Sequence, residues 1–470
     1  MEMLLIELNK ENETPLYEQI YQQIRDDITD GKLAVGDKLP SKRKLGEFLD
    51  ISQTTIELAY GQLVAEGFIT SKPRKGYFVQ EIGELAYVQP VGALSTPTNQ
   101  KRKELEIEFS PGKIDTEFFP FKQWRKYAKD VIDESSRHLL LLGHPHGDPE
   151  LRQEIAKYLY HSRGVDCSAD QIIVGSGTEQ LMPLLIRLLG PEAKYAIEDP
   201  GYPLTHHVFF HNNREAIPIT VDDEGMDVQA LSQSDATVAY VTPSHQFPTG
   251  TVLSAGRRTA LLNWAASNES NFIIEDDYDS EFRYTGRPIP SLQGMDKAGN
   301  VIYLSTFSKS LMPSLRIAYM VLPPILLKKY EKAFIHYSST VPRFDQHTLA
   351  RFMADGHFSR HLNRMRKVYK RKLQLLTDSL QAYAPHISYS GDEAGMHILI
   401  NVHTDDDEVT LTQRASDEGI RVFGLNEYRK VLGHLHPSFL IGFGGLSDAQ
   451  IPESIDKLMK AWGIDRNQKR

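Results

Sequence analysis

The chain has 470 residues, 40% of them hydrophobic and 24% charged, with a formal net charge of −9. That length asks for two or three domains, and the composition is that of an ordinary globular protein. No apolar run approaches about 18 residues, which excludes a membrane-spanning helix, and the first residues lack the basic and apolar regions of a secretory signal. The single cysteine, Cys167, excludes an intramolecular disulfide and suits a reducing, cytoplasmic setting. The net negative charge argues against nucleic-acid binding by the whole surface, so charge has to be read segment by segment.

Residues 1–80 read as short helices followed by a small β-ribbon. Leu16, Ile20, Ile24 and Ile28 recur at helical spacing, and Gly31 and Gly36 end that element. Ser41 is placed to cap a second helix carrying Leu45, Phe48 and Leu49. Asp50-Ile51-Ser52 makes a tight turn, and Ser52 caps a third helix whose buried stripe is Ile56, Tyr60 and Leu63. Gln53, Thr54 and Thr55 face outward at its start. Two helices joined by so short a turn have the helix-turn-helix layout, in which the start of the second helix meets base edges. The following ITSKPRKGYFVQ predicts two strands joined by a basic turn through Gly76, a wing from which Lys72, Arg74 and Lys75 reach phosphates. Lys42, Arg43 and Lys44 gather at Ser41, whereas Glu47, Asp50, Glu57 and Glu66 lie mostly elsewhere. A solvated basic face on a plain helical domain is the alternative.

Residues 81–106 are rich in Pro, Gly, Ser, Thr and charge without periodicity, and read as a linker. Residues 107–470 alternate apolar strands, at 171–174, 237–241, 272–275 and 300–304, with amphipathic helices. That spacing predicts an α/β domain around a mostly parallel sheet. Four stretches at strand ends carry chemistry. Ser305-Thr306-Phe307-Ser308-Lys309-Ser310, with Arg316 beyond it, offers an amine for a Schiff base together with hydroxyls and a guanidinium for a phosphate. Gly175-Ser176-Gly177-Thr178 opens a helix, where backbone N–H groups make an anion site. Glu198-Asp199-Pro200-Gly201-Tyr202 supplies an aromatic to stack on a ring. Phe272 to Tyr278 ends in Asp276, a partner for a protonated pyridine nitrogen, and Tyr278, a donor to a ring oxygen. Each alone also fits a bland role: a Gly turn, a core Tyr, an acidic strand end. All four fall in order at the carboxyl ends of strands, the edge where open α/β sheets bind ligands.

KLPSKRKLGEFLDISQTTIELAYGQLVAEGFI and RKGYFV resemble the GntR-type winged helix-turn-helix. Residues from about 109 onward, with TPSHQFPTGT, IIEDDYDSEF and TFSKSLMPSLRIAYMVLPP, resemble fold-type I aminotransferases. The whole chain is similar to the MocR/GabR subfamily, which joins the two. That resemblance implies a homodimeric transcriptional regulator binding a double-stranded DNA operator, and pyridoxal 5'-phosphate held on Lys309. It assigns Asp276 to the pyridine nitrogen, Tyr278 to the ring oxygen, Tyr202 to stacking, and Ser176, Gly177, Thr178, Thr306, Ser308 and Arg316 to the phosphate. No metal is expected. A working aminotransferase with a vestigial N-terminal domain is the alternative.

The chain departs from the family in informative places. Gln53 stands where an Arg usually begins the recognition helix. Phe247 replaces an Asn before Pro248, with His245 or Gln246 to compensate. Leu142 matches a Tyr contributed by the partner subunit. Pro203 and Leu204 replace Arg residues of the γ-aminobutyrate regulator, and His436 matches a carboxylate-clamping Arg. These gaps argue against γ-aminobutyrate and against efficient transamination. They leave a small amino compound anchored by His436 or Arg421, or the cofactor itself, as the expected effector.

Overall fold

The computed structural model describes residues 6, 8–9, 14–83, 106–286, 289–431 and 436–466. Most of the expected linker, residues 84–105, lies outside them. The chain divides into two compact units, residues 1–101 and 102–470.

In the first unit, α1 (Leu16–Thr29), α2 (Lys42–Leu49) and α3 (Gln53–Ala65) precede an antiparallel ribbon, β1 (Ile69–Lys72) and β2 (Gly76–Val79). Both caps form: Ser41 Oγ accepts from Lys44 N at 3.3 Å and Ser52 Oγ from Thr55 N at 3.2 Å. Between them Asp50 adopts a left-handed conformation, which turns the chain from α2 into α3. Ile20, Ile24, Leu45, Ile56, Tyr60 and Leu63 close the core, whereas Phe48 of the expected α2 stripe is exposed.

The second unit opens with β3 (Ile107–Glu108), α4 (Phe121–Val131) and α5 (Pro149–Arg163). Eight strands then form its main sheet: β4 (Ile172–Gly175), β5 (Tyr195–Asp199), β6 (Ala216–Asp222), β7 (Gly225–Met226), β8 (Val238–Val241), β9 (Phe272–Asp277), β10 (Val301–Thr306) and β11 (Ala318–Val321). Their order is β4-β11-β10-β9-β8-β5-β6-β7. The five central strands β10, β9, β8, β5 and β6 are parallel, and only β11 and β7 run against the rest. The run FIIEDD of β9 is buried throughout, as a strand covered on both faces must be. Ile274, Ile302 and Leu304 pack on one face with α6 (Thr178–Leu189), whereas Ile273 and Val301 pack on the other. A smaller antiparallel sheet follows, of β12 (Ile387–Ser390), β13 (His397–Val402), β16 (Ser438–Gly442) and β15 (Phe423–Gly424); β14 (Ile420–Arg421) instead pairs with β3. Among the described residues no helix is long and apolar enough to cross a membrane.

Candidate functional site

In the first unit Gln53 and Thr54 open α3 exposed, and Thr55, whose hydroxyl meets that of Ser52, is half-buried. The cations at the start of α2 are partly engaged: Lys42 meets Glu57 at 2.5 Å and Arg43 meets Glu47 at 2.8 Å. In the wing turn Lys72, Arg74 and Lys75 are exposed and Gly76 half-buried. Lys72 stacks over the Phe78 ring, whereas Arg74 and Lys75 have no ion pair among the described residues.

In the second unit, strand ends of the main sheet surround a cavity of about 460 Å³, a size suited to a small organic ligand. Where β10 ends, Thr306 caps the short helix Phe307–Ser310: Ser308 N donates to its Oγ1 at 3.1 Å, and the Thr306 and Ser308 hydroxyls lie 2.9 Å apart. That turn delivers Lys309 into the cavity, where its amine donates to the carbonyl of Pro111. Burial pushes the amine down to about 8, with Asp279 opposing the shift.

The end of β9 brings Asp276 to the same cavity, with the Tyr240 hydroxyl donating to it. Burial, aided by Asp277 and Asp279, raises its carboxyl to about 7. The neighbouring Asp277 points away, toward buried Arg163 at 2.7 Å and the Tyr303 hydroxyl at 2.5 Å. Gly177 and Thr178 begin α6 at the cavity edge beside Arg316, which pairs with Glu179. Gly177 has φ +136°, and a Cβ there would lie 2.2 Å from Arg316 Nη2, so only glycine lets the guanidinium approach this backbone. Tyr202, at the start of α7 (Pro203–His211), and Tyr278 line the cavity as well.

Not every expected residue joins them. Ser176 is half-buried and does not line the cavity; its N–H donates to Gln180 Oε1 at 3.3 Å. His245, expected at the cofactor, is not among the lining residues either. It lies buried behind Tyr278, whose hydroxyl donates to the His245 carbonyl at 3.0 Å, and its Nδ1 faces Asp279 at 3.0 and 3.2 Å. The ring of His397 is 4.8 Å away, held well below its usual pKa by burial and by His245 and Lys309. The backbone has to pass close by: a Cβ on Gly395, at φ +75°, would lie 2.0 Å from His245 Cε1. Gln246 is turned inward, donating to Glu198, Pro200 and Phe247, and the residue that enters the cavity wall is Phe247.

His436 is the expected effector anchor. It is exposed beside His403, with ring centroids 5.5 Å apart, and is absent from the lining. The β16 residue that backs the cavity is Leu440, fully buried with Phe247, Leu399 and Leu425. Arg421 is likewise outside the lining; it stacks over Phe423 at 5.0 Å and faces Glu108 at 3.8 Å. Phe423 and Tyr428, from the smaller sheet and its 3-10 turn, and the loop 110–112 complete the wall. No motif marked them, because they come from a loop and from short elements of the smaller sheet, not from the ends of the main-sheet strands.

Residues 106–458 match the family described as aminotransferase class I and II, and residues 16–79 match the bacterial regulatory proteins of the gntR family. The chain is 43% identical over 465 residues to the HTH-type transcriptional regulator YdeL of Bacillus subtilis, covering 97% of this chain and 99% of that one. It is 30% identical over 479 residues to the Rhizobium meliloti protein named "Probable rhizopine catabolism regulatory protein MocR", covering 97% and 96%. The structure of Pyrococcus horikoshii kynurenine aminotransferase, determined with PMP, superposes with a TM-score of 0.68 at 26% identity, over 76% of this chain and 91% of that one. The two matched segments, in this order on one chain, make it a member of the MocR-type transcriptional regulators, a GntR DNA-binding domain joined to an aminotransferase class I and II domain.

Proposed function

We propose that the second unit holds pyridoxal 5'-phosphate on Lys309, and that its occupancy, alone or with a small amino compound, sets how tightly the first unit binds its operator. The observation that carries this reading is the meeting in one cavity of an amine, a buried carboxyl, and a guanidinium beside a helix start. Bound there, the cofactor supplies an aldehyde that captures amines and a ring that withdraws electrons. Asp276 fits the pyridine nitrogen, because a buried carboxyl raised to about 7 ionises readily only beside a cation. The N–H groups that open α6, with Arg316 and the Thr306 and Ser308 hydroxyls, fit the phosphate, which would draw Arg316 from Glu179. Tyr202 and Tyr278 flank the ring position, and His245 with Asp279 fixes Tyr278 from behind. Among the described residues lining the cavity Lys309 is the only lysine.

The depressed amine has a consequence for pH. Only the neutral amine is a nucleophile, and with a pKa near 8 its neutral fraction rises about tenfold per pH unit up to that value and then levels. Capture of added pyridoxal phosphate by the apo protein, fixed with borohydride at set times, should quicken from about pH 6.5 to about pH 8 and flatten above. Peptide mapping should find the label on Lys309. A label elsewhere, or none, overturns the reading.

In the first unit the same reading puts Gln53 and Thr54 against base edges, the start of α2 against the backbone, and the wing against phosphates. Arg74→Ala and Lys75→Ala should each weaken binding to every duplex and lower the slope of log affinity against log salt by about one. Arg43→Ala should do less, since Arg43 is shared with Glu47. Changes at Gln53 or Thr54 should alter base preference instead. These outcomes are checked by salt titrations on selected and scrambled duplexes. The consecutively exposed Leu140, Leu141 and Leu142 of the second unit support a homodimer as the working form.

A further inference from the structure

The cavity is larger than its charged end, and its other wall is made of rings. Phe247 is at the centre of that wall, edge-on to Tyr202 and to Tyr428, each with centroids 5.3 Å away. Phe423 and Leu204 extend it, and Leu440 backs it from the smaller sheet. The cations lining the cavity, among the described residues, are Lys309 and Arg316. Arg316 is at the α6 end, engaged with Glu179, and Lys309 is the amine that any incoming amine must displace. A carboxylate carried against the ring wall would lose its water with no further cation among the described lining residues to replace it. A flat apolar body would instead bury its surface against ring edges and faces.

We propose that the effector taken by this cavity is a primary amine with an aryl or bulky apolar body and no carboxylate. The proposal rests on the cofactor reading above and names the ligand class for the same site. It assigns recognition to Phe247, Phe423 and Tyr428, not to Arg421 or His436, which lie outside the lining.

The test uses the full chain loaded with pyridoxal phosphate, titrated with 2-phenylethylamine, L-phenylalanine and γ-aminobutyrate while the visible band is followed. The expected result is that 2-phenylethylamine shifts the band with affinity at least about tenfold above either carboxylate-bearing amine. Phe423→Ala should lower that affinity by about tenfold, Tyr428→Leu should lower it as well, and His436→Ala should leave it unchanged. L-Phenylalanine or γ-aminobutyrate binding as tightly as 2-phenylethylamine overturns the proposal. So does an unchanged affinity in both ring variants, or a loss on His436→Ala. A band that forms but responds to none of the three amines overturns the ligand class and leaves the cofactor reading standing. A wild-type chain that forms no band overturns both.

Discussion

Lys309→Ala should abolish covalent attachment of pyridoxal phosphate: no visible band on loading and no adduct after borohydride. The expected loss is complete because no other lysine lines the cavity among the described residues. Lys309 is carried there by the turn at the end of β10, where the Thr306 cap fixes the short helix. Its long side chain crosses to the loop carbonyl of Pro111. Burial makes its neutral form available near physiological pH, which a surface lysine at its ordinary value is not. Absorbance and mass spectrometry of the reduced protein check the result. An adduct of wild-type stoichiometry in the variant would show that another amine holds the cofactor.

Arg163→Met should destabilise the second unit by about 3–5 kcal/mol, because it leaves Asp277 charged and buried without its counter-ion. Both side chains are almost wholly buried, at 5% and 1% exposed, so solvent does little to screen the loss. The Arg163 guanidinium also bonds the Ile289 carbonyl at 2.5 Å and the Ser244 hydroxyl, tying the end of α5 to two loops around the sheet edge. Removing both charges, as Arg163→Met with Asp277→Leu, should recover much of the loss, since no buried charge is then stranded. Denaturant unfolding of the second unit measures both. A single variant as stable as the wild type would mean that this pair contributes nothing to holding Asp277 aside from Asp276.

The readable parts of the sequence share a physical cause. β9 and β10 are covered on both faces, so each opens with an apolar run, FII and VIYL, and their ends mark where Asp276, Tyr278 and Lys309 fall. Ser41 and Ser52 cap as expected because capping is local, decided within three residues. What stayed hidden is what loops and the smaller sheet decide. The segment before Pro248 is irregular and has no period to tell which side chain enters the cavity; Phe247 does, while His245 and Gln246 turn to Asp279 and Glu198. His436 and Leu440 are both an even number of residues from Ser438, so alternation along the sequence could not separate them. β16 begins only at Ser438, so His436 lies before the strand that carries Leu440 to the cavity. Phe423 and Tyr428 share a cavity with Lys309 only because the smaller sheet lies against the larger one, which no local pattern encodes.

The central claim is that the ligand state of the second unit governs DNA binding by the first. Its most direct measurement is the affinity of the full chain, at one fixed salt concentration, for a duplex that the full chain itself selects from a random pool. That affinity should be compared for apo protein, for protein loaded with pyridoxal phosphate, and for loaded protein saturated with 2-phenylethylamine. The expected result is a difference of at least about tenfold between two of these states, equivalent to a coupling of about 1.4 kcal/mol. Equal affinity in all three states would contradict it.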